Sequence, residues 1–195
     1  MIILLYPGNA KKTYTKPITY SNRGMDLESI INDTNKYYID NSIAFIYKKP
    51  TPIGLVKVND KRIESAYFKE ASTLDYVGLY KGYYIEFDAK VTKNITSFPL
   101  NNIKPHQLKH IEIINNNKGI VFLIIEMNSN YYCLMGSTLL DFIKNNTVKS
   151  IPFSFIKDNA YELKYNYVKG LNYLKYIDIY LGGTNEKNEK NEEVK

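Results

Sequence analysis

The sequence predicts a mixed α/β protein, a sheet flanked by helices, and three stretches carry this prediction. Residues 25–41 show the i, i+3, i+4, i+7 spacing of apolar side chains that marks one face of a helix. Residues 84–91 alternate between apolar and polar side chains, which is typical of a strand with one buried face. Residues 120–127 are almost entirely apolar and predict a central strand buried on both faces. A chain of 195 residues is long enough to bury one sizeable core.

The polar face of the strand at 84–91 is the most informative feature of the sequence. Because successive side chains on a strand point to opposite faces, Glu86, Asp88 and Lys90 share one face. The opposite face is apolar and is expected to lie on the core. A strand of this kind covers a core with one side and faces a wet cleft with the other.

A second stretch, at 72–76, is predicted to pair with this strand. Thr73 and Asp75 share a face by the same rule, and Gly78 and Gly82 are expected to let the chain reverse. The resulting hairpin brings Asp75 beside Asp88.

Two adjacent carboxylates and an ammonium indicate a specific chemistry. The carboxylates of Asp75 and Asp88 repel each other unless a divalent cation lies between them. Mg²⁺ prefers oxygen ligands and activates water, and Lys90 is then in place to neutralise a developing phosphoryl charge. The pattern therefore indicates metal-assisted phosphodiester hydrolysis. The alternative is a half-exposed hairpin whose charges are only solvated, and the spacing alone does not exclude it.

Further blocks of sequence stand in a fixed order along the chain: Asn22-Arg23-Gly24-Met25, Lys48-Lys49-Pro50-Thr51-Pro52-Ile53, Ala66-Tyr67-Phe68, Ser72-Thr73-Leu74-Asp75-Tyr76, Phe98-Pro99-Leu100 and His106-Gln107. Together they resemble the signature blocks of the RecU family of Holliday junction resolvases, which belongs to the PD-(D/E)XK nuclease superfamily. The resemblance covers roughly residues 20–180.

The resemblance implies a restriction-endonuclease-like fold and a nuclease activity. A nuclease domain is expected at 21–181, with a stalk at about 51–66 that projects between two strands and enters the crossover of a junction. The implied activity is Mg²⁺-dependent symmetric nicking of Holliday junctions in recombination and repair, with Mn²⁺ as a possible substitute. The implied partners are four-way junction DNA, a second copy of the chain, the recombinase RecA and branch-migration proteins.

Site residues are implied by the same resemblance. Thr73, Asp75, Asp88 and Gln107 match the metal-binding positions, and Lys90 matches the lysine that stabilises the transition state. The family usually has Asp-Phe-Glu-Ala-Lys where this chain has Glu-Phe-Asp-Ala-Lys at 86–90, so the two acids are exchanged. Glu86 is therefore a further possible ligand, directly or through water.

Glu28, in the first turn of the predicted helix at 25–41, has two interpretations. An acidic side chain there stabilises the helix through its macrodipole. Alternatively, Glu28 belongs to the catalytic residues, since nucleases of this superfamily often direct a carboxylate of the first helix at the metal.

Basic residues in and near the blocks are the predicted DNA contacts, against the alternative of solvated surface charge. His106 is assigned a phosphate contact, and His110 an ordinary surface or core position, because no third zinc ligand accompanies the pair. The predicted DNA-binding residues are Arg23, Lys48, Lys49, Lys61, Arg62, His106 and Lys149.

Composition limits the setting in which the chain works. The formal net charge of +6 suits a polyanionic partner. The single cysteine, Cys133, excludes an intrachain disulfide and is consistent with a reducing cytoplasm, and no apolar run is long enough to span a membrane. Residues 1–20 are expected to form a flexible basic arm, and residues 182–195 a disordered tail.

Two other functions remain open from the sequence. One is a protein that binds junctions and modulates RecA without cleaving. The other is a less selective nuclease that acts on flaps or duplex DNA.

Overall fold

The computed structural model describes residues 26–50, 53–59, 62–68 and 73–192, and the side chains of residues 26–50 and 73–182. These residues form one six-stranded sheet, three two-stranded sheets and five α-helices. The helices are α1 (Leu27–Asp40), α2 (Pro105–Asn116), α3 (Gly136–Asn145), α4 (Phe153–Asn159) and α5 (Tyr173–Glu192). The strands are β1 (Phe45–Lys48), β2 (Ile53–Asn59), β3 (Arg62–Phe68), β4 (Tyr76–Tyr80), β5 (Tyr83–Val91), β6 (Ser97–Pro99), β7 (Ile120–Met127), β8 (Asn130–Met135), β9 (Ser150–Pro152), β10 (Tyr161–Leu163), β11 (Tyr165–Asn166) and β12 (Gly170–Leu171).

The six-stranded sheet has the order β1-β4-β5-β7-β8-β10. β5 and β7 run parallel, and the other neighbouring pairs of this sheet are antiparallel. The long connection that a parallel pair requires contains β6 and α2, which returns the chain across one face of the sheet. The predicted mixed α/β architecture, a sheet flanked by helices, is confirmed.

Helices α1 and α5 cover one face of the sheet. Leu27 and Ile31 of α1 and Tyr173 of α5 are buried there against Ile85 and Phe87 of β5. The rings of Phe87 and Tyr173 lie 5.3 Å apart. The alternation along β5 therefore places its apolar side chains on this face, as the sequence predicts.

Helices α2, α3 and α4 cover the other face. They contribute Ile111, Leu139 and Ile156 to a second core, which packs against Leu123 and Ile125 of β7. Since β7 has core on both sides, its nearly continuous apolar sequence is explained, and the predicted central strand is confirmed.

Gly78 lies inside β4 and not in the turn that the glycine spacing predicts. A Cβ at this position would lie 2.2 Å from the carbonyl oxygen of Phe45 and 2.6 Å from Cα of Ile46, so only glycine allows β1 to approach β4 this closely. The chain reverses later, at Lys81 and Gly82, which both have positive φ angles of 50° and 84°. This turn joins β4 directly to β5.

β2 and β3 form a two-stranded antiparallel sheet of their own, inserted between β1 and β4. Its position in the chain is that of the predicted stalk at about 51–66. The predicted basic arm at 1–20 lies outside the described residues.

The C-terminal third differs most from the sequence-based expectations. The helix α4 and the short strands β9 to β12 were not predicted, because each is too short to show a periodic pattern. α3 begins at Gly136 with Met135 as its N-cap. α5 continues to Glu192, whereas a disordered tail is predicted from 182, and the Lys and Glu residues of this segment are good helix formers.

Within the described residues, no helix combines the length and apolar character that crossing a bilayer requires.

Candidate active site

The register of β4 and β5 determines which side chains meet at the carboxyl end of β5. Tyr76 pairs with Phe87, so the next positions along the two chains, Asp75 and Asp88, lie opposite each other. Because cross-strand partners share a face, both carboxylates lie on the side of the sheet that α2 covers. Asp88 is fully buried and Asp75 is half-buried.

Asp88 has two differently bound carboxylate oxygens. Its Oδ2 lies 2.7 Å from Nζ of Lys90 and accepts a hydrogen bond of 2.7 Å from Nε2 of Gln107. Its Oδ1 is buried and has no hydrogen-bond partner. Burial raises the pKa of Asp88 to about 6 and Asp75 adds to this increase, while Lys90 acts in the opposite direction. A buried oxygen without a donor, beside a second carboxylate, is a suitable ligand for a cation.

Gln107 is held at the start of α2 by its own side chain. Its Oε1 accepts from the backbone N–H of Lys104 at 3.1 Å and from Nζ of Lys90 at 3.2 Å. Its Nε2 donates to Asp88 and, at 3.1 Å, to the carbonyl oxygen of Thr73. The amide oxygen therefore faces the helix cap and Lys90, and the amide nitrogen faces the carboxylate.

Glu86, two residues before Asp88 on the same face of β5, is surrounded by donors. Nζ of Lys49 and Nε2 of His110 contact its Oε1, the latter at 2.9 Å, and the hydroxyl of Tyr84 donates to its Oε2. Lys49 also donates to Oγ1 of Thr73. Burial favours a higher pKa for Glu86, but the hydrogen bonds from Lys49, Tyr84 and His110 outweigh it and lower the pKa.

The roles of Tyr84 and His110 were not predicted from the sequence. His110 lies one helical turn after Gln107, so the two side chains project from the same face of α2. That spacing, together with the position of Glu86 on the same strand face as Asp88, was the sequence signal from which the contact between His110 and Glu86 could have been predicted.

Glu28, in the first turn of α1, raises the pKa of Lys48, and the charge of Asp75 acts on the same ammonium in the same direction. The carboxylate of Glu28 is bound by Nζ of Lys48, and α1 packs on the opposite face of the sheet from Asp88. Its catalytic role stays a prediction.

Comparisons with known proteins agree with one another. The family model of recombination protein U, RecU, matches residues 22–179. The chain belongs to the RecU family. It is 43% identical over 176 residues to the Holliday junction resolvase RecU of Lactobacillus helveticus, an alignment covering 87% of this chain and 84% of that protein. It is 45% identical over 181 residues to the protein of the same name from Staphylococcus epidermidis, covering 88% and 87%.

A solved structure also resembles the chain, though only loosely. It is Hjc, a Holliday junction resolvase of Archaeoglobus fulgidus, with 10% sequence identity and a TM-score of 0.37 over 65% of this chain and 90% of that one. An overlay of this quality supports no argument about the RecU chain.

The structure describes the side chains of four of the predicted DNA contacts of this RecU chain, Lys48, Lys49, His106 and Lys149. Lys48 and Lys49 follow one another at the end of β1, and both are engaged by carboxylates, Glu28 and Glu86 respectively. His106 and Lys149 are exposed. Arg23 and Lys61 lie outside the described residues, and Arg62 begins β3 with its side chain outside them.

The ligand set available to a metal is small. Among the described residues, no group of three or more His, Cys, Asp and Glu side chains is arranged to hold a metal ion. A cation in this RecU chain would draw on the carboxylates of Asp75 and Asp88, with hydroxyl and amide groups such as those of Thr73 and Gln107 nearby. Two carboxylates, other oxygen donors and water are ligands of the kind that Mg²⁺ accepts, so the residues present fit a hard cation.

Proposed function

We propose that the chain is a Holliday junction resolvase, an endonuclease that nicks four-way junctions symmetrically during recombination and repair. The observation that carries this proposal is the pair Asp75 and Asp88, with a buried unpartnered oxygen and Lys90 alongside. The relatives named Holliday junction resolvase RecU, which cover most of the chain, support the substrate class.

The mechanism that we propose divides the work among the residues of β4, β5 and α2. Asp75 and Asp88 would hold a divalent cation, Mg²⁺ with Mn²⁺ as a substitute, and Thr73 and Gln107 would complete its surroundings. When bound, such a cation lowers the pKa of a coordinated water and polarises a phosphoryl oxygen. Lys90 places an ammonium at the same carboxylate, where it would stabilise the negative charge that develops on the phosphoryl oxygens. Glu28 remains a proposed additional catalytic carboxylate.

Gln107 has a second proposed role besides offering an amide, which is to hold neighbouring side chains in place. With its nitrogen on Asp88 and its oxygen on Lys90, it fixes the acid and the lysine relative to each other. In the orientation shown, its oxygen is directed at Lys90, so direct coordination would require the amide to turn over.

The proposed DNA contacts are basic residues in or near the sequence blocks that resemble the RecU family. Phosphates attract lysine and arginine irrespective of base sequence, and the formal charge of +6 favours such binding. The proposed contacts are Arg23, Lys48, Lys49, Lys61, Arg62, His106 and Lys149.

We propose that the chain acts as a homodimer, because a four-way junction has near two-fold symmetry and requires two opposed nicks. Phe45, Leu79 and Tyr84 occupy matching positions on β1, β4 and β5 and form an apolar row, each about half exposed. Such a row is a suitable surface for a second copy. RecA and branch-migration proteins are further proposed partners, and the cytoplasm is the proposed location.

A nicking assay on a synthetic four-way junction tests the proposal. We expect wild-type chain to cut in Mg²⁺ and not in EDTA, and to prefer the junction over linear duplex. Asp75→Ala and Asp88→Ala are expected to abolish cutting while junction binding persists. Normal cutting by both variants would refute the site. Tight binding without any metal-dependent product would indicate a non-cleaving junction protein, and equal cutting of duplex would indicate a less selective nuclease.

A further inference from the structure

An ion pair lies beside the proposed metal site and uses neither of its carboxylates. Nζ of Lys49 contacts Oε1 of Glu86, and the exposed fractions of the two side chains are 23% and 1%. Tyr84 and His110 supply the remaining donors, so both oxygens of Glu86 are satisfied. This differs from Asp88, whose Oδ1 has no partner.

The backbone places Lys49 next to a different carboxylate. Lys48 pairs with Tyr76 at the end of β1, and the backbone N–H of Lys49 then donates to the carbonyl oxygen of Asp75 at 2.7 Å. Lys49, Asp75 and Asp88 are therefore in one row across β1, β4 and β5. Within the described side chains, Lys49 nevertheless forms its ion pair with Glu86, one row further along the sheet.

Glu86 is suited to hold this lysine. Both of its oxygens accept hydrogen bonds, and Nζ of Lys49 is its counterion at Oε1. Because an ionised carboxylate only accepts hydrogen bonds, His110 must donate from Nε2, and Tyr84 from its hydroxyl. These two donors fix the carboxylate from the side of α2 and from its own strand, so Lys49 meets an anion in a defined position.

We propose that Glu86 is a positioning residue that holds the ammonium of Lys49 away from Asp75 and Asp88, and so keeps these carboxylates available to a divalent cation. The inference rests on the metal site of the proposed function. Without Glu86, the partly buried ammonium loses its counterion, and the nearest anion along its row is Asp75. An internal ammonium on Asp75 would compete with the metal for the same charge.

Mn²⁺ binding to the full chain, followed by electron paramagnetic resonance of the free ion, tests this without relying on cleavage. We expect Glu86→Gln to weaken Mn²⁺ binding by about tenfold, the effect of one close charge at a partly buried site. We expect the double variant Glu86→Gln/Lys49→Gln to return to within about threefold of the wild type, because the competing ammonium is gone. Lys81→Gln is the matched control, since it removes an exposed ion pair to Asp178 away from the cluster and should leave Mn²⁺ affinity unchanged.

A double variant that does not recover Mn²⁺ affinity would assign a different role to Glu86. If Glu86 were itself a metal ligand, the double variant would bind Mn²⁺ as weakly as Glu86→Gln, and the proposal would be overturned. If Glu86→Gln does not fold, as thermal melting would show, the double variant is compared with Lys49→Gln. Equal affinity of these two supports the proposal, and weaker binding by the double variant overturns it. A wild-type chain that binds no Mn²⁺ would overturn the metal site itself, whereas normal binding by both wild type and Glu86→Gln would overturn only the role of Glu86.

Discussion

Lys90 and Asp88 project from the same face of β5, and Nζ of the lysine lies 2.7 Å from Oδ2 of the acid. The other oxygen, Oδ1, is buried without a partner. The lysine thus engages one oxygen of the carboxylate and leaves the other available to the proposed cation. The proposed cation ligand and the proposed charge-stabilising ammonium are therefore two positions apart on one strand.

Replacing Lys90 by Gln should reduce cleavage far more than binding. If its ammonium stabilises charge in the transition state, single-turnover cutting of a four-way junction at saturating Mg²⁺ should fall by about 10²- to 10³-fold. Junction affinity in EDTA should stay near wild type. Lys93→Gln, an exposed lysine just beyond β5, is the control and should cut normally. A Lys90→Gln variant that cuts as fast as the control would contradict the assigned role.

The stability of the metal-free chain should depend on pH through Asp88. Its pKa is raised from an ordinary 3.8 to about 6 in the folded chain, so the folded state binds the proton more tightly than the unfolded state. The bound proton therefore stabilises the folded chain, by on the order of 3 kcal/mol in the free energy of unfolding. This contribution is complete at a pH below the pKa of the unfolded state, and it is lost as the pH rises through the pKa of the folded state. Asp88→Asn should remove this loss. Urea unfolding in EDTA between about pH 4 and pH 8 should therefore show the variant gaining stability over wild type as the pH rises. A difference that is constant with pH would argue against a raised pKa.

Gly78→Ala should weaken the attachment of β1 to β4. The added Cβ would overlap the backbone of Phe45 and Ile46, so the free energy of unfolding should fall by about 2 kcal/mol or more. Because β1 leads directly to Lys49, cleavage should fall as well. Gly182→Ala is the matched control, since its Cβ meets no atom within 4 Å and lies in α5, where alanine is the better helix former. Chemical unfolding of both variants measures the difference, and equal stabilities would show that β1 can withdraw at no cost.

Cys133 should be inert in the folded chain. It is fully buried, and burial raises the pKa of its thiol well above the ordinary value. A disulfide reagent such as Ellman's reagent should label it only at the rate of unfolding, and fully in denaturant. Rapid labelling under native conditions would show that β8 opens locally.

Much of the site was predictable because strand alternation and pairing are short-range rules. Once 84–91 is read as a strand, the common face of Asp88 and Lys90 follows from the side-chain period alone. The hairpin that contains Asp75 was predictable because its two strands are neighbours in the sequence. Its turn was misplaced, because Gly78 lies within β4. The stripe of α1 was predicted for the same reason, and its buried residues agree with the pattern.

The contacts of Glu86 were not predictable in this way. Lys49 and His110 come from elements 37 and 24 residues away, and their meeting depends on the register of β1 and on the packing of α2 against the sheet. The close approach of β1 at Gly78 likewise depends on a neighbour outside the local pattern. The strands β9 to β12 are only two or three residues long, so they are determined by tertiary pairing rather than by periodicity.

The two-stranded sheet of β2 and β3 leaves and re-enters the main sheet between adjacent strands, β1 and β4. Its two attachment points are therefore about one strand spacing, roughly 5 Å, apart. Evolution can lengthen, shorten or exchange such an appendage without moving the acids at the end of β5, because both ends remain anchored by the same ladder. The hairpin can thus change while the residues at the end of β5 keep their positions, and grafting a relative's hairpin onto the chain would test whether the two parts are independent.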